Sequence, residues 1–329
     1  MRPSMASPTR HNWMIAVTAM TLFVMAVVSL FVGKYPLTLS GLLSGSHMQV
    51  QVFYRLRLSR TVMAVVGGVC LGIAGFVYQT VFRNPLASPD IIGVASGASA
   101  GAAAGILFLG SAAAVTAASF VGALAAVVLA LGLSGLDKSG RSGTIVLSGI
   151  AVHALAQTAL MALKLMADPE KELASIEYWI MGSLNGIRMD LILGNVIVCL
   201  LCAMILFLLH RQIVLLSAEE GEAKMLGVSV QKLRLAVLLI ATLMVACVIS
   251  LTGLISFVGL LAPHGARLLT RRNHRGTMLL SGLLGGVLLC GADILARSAA
   301  ATELPVSIFT SLLGAPLLIR LIVRRQKDA

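Results

Sequence analysis

The sequence predicts an all-α integral membrane protein of about ten transmembrane helices, organised as a single polytopic domain over residues 1–329. Three observations predict it. Hydrophobic residues make up 58% of the chain and charged residues 12%, with a mean hydropathy of +0.96; a soluble domain carries roughly a quarter charged residues to cover its surface. Apolar runs near the ~20 residues that cross a bilayer follow one another from Trp13 to Val323 with only short interruptions. The net charge is +12, yet the Lys and Arg residues sit in the short loops between runs, as cytoplasmic loops of membrane proteins do. No basic stripe with interleaved aromatics exists, which excludes a nucleic-acid partner.

Taken in order, the expected spans are 13–32, 61–81, 91–109, 112–133, 144–166, 191–209, 233–254, 257–269, 278–295 and 307–323. The first follows Arg2 and Arg10 like a signal peptide, but it is long enough to span and no small-residue cleavage site follows it, so it reads as a membrane helix. The eighth is short, and Pro263 is expected to break it. With the N-terminus cytoplasmic, the inner loops hold Arg83, Lys138, Arg141, Arg211, Arg234, Arg271, Arg272 and Arg275, and the C-terminus, also cytoplasmic, carries Arg324, Arg325 and Lys327. The outer loops hold Asp168, Glu170, Glu172, Asp190 and Glu303. This is the positive-inside pattern, to which Arg55, Arg57, Arg60 and Arg297 on the outer side are an exception.

Small residues recur at helix-packing spacing. Gly93, Gly97, Gly101 and Gly105 form overlapping G-x-x-x-G steps, and Gly68 with Gly72 and Gly282 with Gly286 repeat the spacing, which lets backbones approach closely in lipid. All five cysteines lie inside apolar runs. Cys199 and Cys202 form C-x-x-C, but no His or third Cys stands near them in sequence, so they read as small buried hydrophobes.

Several motifs occur in a fixed order. Arg57 and Arg60 stand in R-L-S-R, Gln79 precedes the run R-N-P-L-A-S-P-D-I-I-G-V from Arg83, and Trp179, Gly182 and Ser183 form W-x-x-G-S. Gly253 opens G-L-I-S-F-V-G-L-L-A-P-H-G-A-R, Asp293 and Arg297 fall in A-D-I-L-A-R, and E-L-P-V from Glu303 precedes G-A-P at Gly314. Together these resemble the FecCD-type permeases of ABC importers for vitamin B12, haem and iron(III)–siderophore complexes, from Arg57 to Ile322. Ser59 stands where that family usually has Pro, and Ser307 where it has Gly. The resemblance implies two permease subunits, identical or homologous, around a central path, two cytoplasmic ATPase subunits beneath, and a periplasmic or lipoprotein substrate-binding protein above. It also implies an inverted repeat relating helices two to five with seven to ten, a common transporter design.

The resemblance assigns candidate sites. Arg57, Arg60 and Arg297 match arginines that meet acidic residues of the binding protein, where charge-assisted pairs orient the partner and raise its on-rate. Snorkelling to lipid headgroups is the competing role, and for Arg297 so is pairing with Asp293 four residues earlier. Between the sixth and seventh spans, Ser217 and Glu220 form a capping box and Gly227 a helix stop. Glu219, Glu220, Ala223, Leu226 and Gly227 thus form a short helix that the resemblance places in a groove of the ATPase, against an ordinary loop helix. Pro85 is expected to end the second helix and Asn84 to turn the chain at the inner mouth. Ser142, Gly143 and Thr144 align with the cytoplasmic gate, as a hinge or as a plain loop. His153 either faces the path, where it could ligate haem iron, or hydrogen-bonds a neighbouring carbonyl. Lys164 is expected to snorkel, and His264 to serve freed carbonyls.

The expected function is therefore import of a metal chelate, iron(III)–siderophore first and haem or cobalamin behind it, across the inner (plasma) membrane. No Walker A sequence is present, so ATP hydrolysis falls to a partner and no catalytic residue, resident metal or cofactor is expected. An ion-coupled secondary transporter would need buried carboxylates near the midplane, and an intramembrane enzyme a motif such as H-E-x-x-H, which is absent.

Overall fold

Helices account for the regular structure of the computed structural model, which describes residues 8–136, 142–187, 189–217, 230–300 and 302–327; no strand occurs among them. In order these are α1 (Pro8–Phe31), α2 (Leu39–Leu43), α3 (His47–Val52), a π-helical turn (Phe53–Leu58), α4 (Ser59–Val81), a 3-10 turn (Pro89–Ile92), α5 (Val94–Phe108), α6 (Ala112–Gly135) and α7 (Ser142–Met166). There follow α8 (Glu172–Ile180), α9 (Met189–Leu208), α10 (His210–Leu215), α11 (Val230–Thr252), α12 (Val258–Thr270), α13 (Arg275–Ser298) and α14 (Val306–Lys327).

Every expected span falls on one of these helices. Seven helical stretches are long and apolar enough to cross a membrane, and α5 and the 306–319 part of α14 are shorter apolar helices. The second span begins earlier than expected, because α3 and the π turn run straight into α4, giving a continuous helix over His47–Val81. The eighth differs in kind. α12 passes unbroken through Pro263, and the chain is unwound before it instead, from Gly253 (φ 68°) to Phe257 (φ 65°). Pro263 falls early in this helix, and the Gly259 carbonyl it leaves free points at α4, so closely that a Cβ at Gly75 would overlap it. Proline at that position costs one backbone bond rather than the helix.

α4 is the hub: 78% of its most apolar window is buried inside the protein, against 17% for α1. It touches α1, α9, α11, α12 and α13. Lipid gives no hydrophobic force between helices, so this packing depends on backbone approach. A Cβ on Gly68 would lie 2.5 Å from the Gly285 carbonyl, and one on Gly72 would overlap that of Ser281. The expected Gly282 and Gly286 lie in this seam, their Cα atoms 3.1 and 2.7 Å from where a Cβ on Gly72 and on Gly68 would stand. Ser281 and Gly285, also four apart, supply the carbonyls that approach most closely. A second such seam joins α5 to α6, where a Cβ on Gly97 would come 2.5 Å from the Gly122 carbonyl.

The pairings repeat between two halves. α5 packs on α6 and α7 as α12 packs on α13 and α14; α4 touches α12 and α13 as α11 touches α5 and α6; and α4 meets α11. In each half the second helix is short: α5 has 15 residues and α12 has 13. At 1.5 Å per residue these rise only about 22 and 20 Å, less than the ~30 Å core. The irregular segments 82–93 and 253–257 lead into them.

Candidate functional site

At one end of the bundle, the start of α4 meets the end of α13. Arg60 donates from Nε to Asp293 Oδ1 at 2.7 Å and from a terminal nitrogen to Glu303 Oε2 at 2.7 Å. Arg297 pairs with the other Asp293 oxygen at 3.0 Å and donates to Ser29 Oγ at 2.6 Å and to the carbonyls of Ser29 and Val32, both at 3.1 Å. Arg57 donates to the Val32 and Tyr35 carbonyls. Asp293 is wholly buried, and all three arginines are buried too. Ser59 turns its hydroxyl to the carbonyls of Arg55 at 2.9 Å and Ile187 at 3.0 Å. These arginines, with Lys34 and Glu303, line a crevice of about 170 Å³. The Asp293–Arg297 pairing read from their spacing is thus present, extended by Arg60 and Glu303 from across the fold.

Between the two ends of the bundle the two irregular segments converge. Asp90, carried by the 3-10 turn, and Ser256, in the unwound stretch before α12, both line two adjoining cavities of about 310 and 250 Å³. The larger also receives Ser96 and Ser99 from α5, and His153, Gln157 and Lys164 from α7. His153 is exposed and lines the same cavity as Asp90. Ser96 and Ser99 donate their hydroxyl protons to the carbonyls of Gly93 at 3.0 Å and Ala95 at 2.9 Å. Lys164 pairs with Glu177 of α8 at 2.8 Å. Asp90 was only a motif letter in the sequence; nothing there signals that it shares a cavity with His153.

At the opposite end, α4 closes with Arg83 in the left-handed region (φ 50°), its N–H bonded to the Thr80 carbonyl and that of Asn84 to the Gln79 carbonyl, the Schellman pattern. The helix thus stops before Pro85. Asn84 and Pro85 are exposed, and Asn84 Oδ1 accepts from the Leu86 N–H at 3.0 Å. Ser142, Gly143 and Thr144, expected as a hinge or loop, form the first turn of α7. Gln79 and Arg267, both motif residues, clasp α4 to α12: Arg267 donates to the Gln79 side chain and to Thr80 Oγ1 at 3.1 Å, while Gln79 donates to the Leu260 carbonyl at 3.1 Å. His264 Nε2 is buried without a hydrogen-bond partner among the described residues. The helix expected to couple to an ATPase, with Glu219, Glu220, Ala223, Leu226 and Gly227, lies outside the described residues; Ser217 before it donates to the Val214 carbonyl at 2.6 Å. The five cysteines are buried free thiols.

Comparison with known proteins agrees with this arrangement. The model of the FecCD transport family matches residues 21–324. The chain is 33% identical to the molybdate import system permease protein MolB of Haemophilus influenzae, over 90% of this chain and 91% of that one. It is 37% identical to the cobalamin import system permease protein BtuC of Halobacterium salinarum, over 83% of this chain and 74% of that one. A solved structure described as an inward-facing conformation of a metal-chelate type ABC transporter superposes with a TM-score of 0.85 at 33% identity, covering 95% of this chain and 99% of that one. With a repeated helical framework, a polar crevice where its two irregular segments meet and a family match over most of its length, this multi-pass membrane protein belongs to the FecCD transport family.

Proposed function

We propose that the chain is the permease subunit of an ATP-driven importer for a metal chelate, an iron(III)–siderophore complex first among the candidates, in the cell inner (plasma) membrane with both termini cytoplasmic. The observation that carries this reading is the meeting of two irregular segments, one from each half, at a single crevice around Asp90 and Ser256. Discontinuous helices at corresponding places in two repeats mark the substrate route of many transporters. Energy comes from two ATPase subunits, and the 219–227 segment transmits their closure. A second permease, identical or homologous, completes the path, with Asn84, Pro85 and Ser142 to Thr144 at its inner mouth and His153 along it. On the outer side, the crevice of Arg57, Arg60 and Arg297 receives an acidic side chain of a substrate-binding protein. Lys34 and the three arginines outnumber the carboxylates of Asp293 and Glu303, so the crevice keeps a positive surplus for a docking anion.

The permease purified with its ATPase tests this. Adding the binding protein is expected to raise ATP turnover, and Lys34→Glu, at the exposed rim, to slow that association several-fold at low salt while leaving basal turnover intact. A turnover indifferent to any binding protein would remove the importer reading.

A further inference from the structure

We propose that Glu303 is an internal stand-in for the docking partner: its carboxylate holds Arg60 in the undocked permease and yields it to an acidic side chain of the substrate-binding protein. The inference rests on the docking read above for this crevice and adds what controls it. None of the three arginines presents more than 7% of its surface. Arg57 is committed to the Val32 and Tyr35 carbonyls, and Arg297 to Asp293 and Ser29. An arriving carboxylate therefore finds no bare guanidinium, and one of the present contacts has to open. Opening at Asp293 is costly, because that carboxylate is wholly buried and serves two arginines. Glu303 differs. It lines the same crevice with 24% of its side chain exposed, and its ion pair is with Arg60 at 2.7 Å.

Arg60 also has a donor to spare. Its Nε serves Asp293 and its Nη1 serves Glu303, while Nη2 is buried with no hydrogen-bond partner among the described residues. Glu303 thus uses one of the two terminal nitrogens of the guanidinium fork. A carboxylate that meets the fork end-on takes both, and a bidentate pair is stronger than a single bond. The exchange needs little backbone movement. Just past Glu303 the chain is pinned, the Leu304 N–H to the Ala296 carbonyl at 3.1 Å and the Val306 N–H to the Gly182 carbonyl at 3.0 Å, so rotation of the Glu303 side chain clears the way. Displaced but tethered beside the crevice, Glu303 goes on competing for Arg60 at high effective concentration and hastens the partner's departure.

The test exposes the permease–ATPase complex, in nanodiscs, to its substrate-binding protein and reads association and dissociation rates separately. Glu303→Gln keeps the shape of the side chain and removes the competing charge. Dissociation should slow about fivefold, the scale of a partly exposed ion pair. Glu303→Asp, with the charge kept but the reach one methylene shorter, should slow it less, and guards against a misfolded Glu303→Gln. Glu170→Gln removes the same charge at the same end of the bundle but outside the crevice, and should alter the association rate alone, as a peripheral charge does. Dissociation unchanged in both Glu303 variants, or quickened by Glu303→Gln, would overturn the stand-in while leaving the docking reading in place. A wild-type complex that binds no substrate-binding protein would remove the docking reading itself.

Discussion

Asp293 illustrates how a single carboxylate can hold an end of the bundle together. Its two oxygens face different arginines, Arg60 at 2.7 Å and Arg297 at 3.0 Å, and it has no solvent exposure. Removing one partner from a buried ion pair strands the other charges, at a cost of about 3–5 kcal/mol. Asp293→Ala is therefore expected to lower stability by that order, read from thermal unfolding of the detergent-solubilised protein; a loss under about 1 kcal/mol, the range of a surface pair, would contradict the buried network. At this scale the sequence was partly legible. The four-residue spacing of Asp293 and Arg297 announces their contact, because both sit on one helix face. The contributions of Arg60 and Glu303 come from across the fold, and no local pattern encodes them. Asp90 was less legible still. A lone Asp after Pro reads as a turn residue, and its relation to His153 exists only once the 3-10 turn packs on α7.

Element lengths followed closely from hydropathy, since a bilayer sets how many apolar residues a helix needs. Element breaks did not. Pro263 draws attention as a breaker, yet the unwinding falls at Gly253–Phe257, where a non-glycine residue takes φ 65° with its ring packed against Gly314. That constraint comes from α14 and is invisible locally. The short helices α2, α3, α8 and α10 likewise lack the length that makes a periodic signal. Glycine spacing located the seams, with Gly286 and Gly282 against Gly68 and Gly72, but gave no sign of the Gly285 and Ser281 carbonyls that make the nearest contacts. The seam is testable. Gly72→Leu forces α4 away from the Ser281 backbone and should destabilise by about 3 kcal/mol, the upper range for overpacking. Gly132→Ala on α6, where a Cβ meets nothing within 4 Å, should instead stabilise by about 0.5–1 kcal/mol. Equal effects of the two substitutions in thermal unfolding would mean that α4 and α13 do not pack through their backbones.

For the whole molecule, the repeated pairing of helices places two irregular segments at one crevice, with an arginine-rich mouth at one end and the Gln79–Arg267 clasp at the other. No Walker A sequence is present in the chain, and under the proposed function the energy for accumulation comes from an ATPase partner. Proteoliposomes containing the permease, its ATPase and its binding protein provide the most direct measurement. The account predicts that a radiolabelled iron(III)–siderophore accumulates inside them only when ATP is supplied on the ATPase side. Accumulation by the purified permease alone, driven by a proton or sodium gradient without ATP, would contradict it.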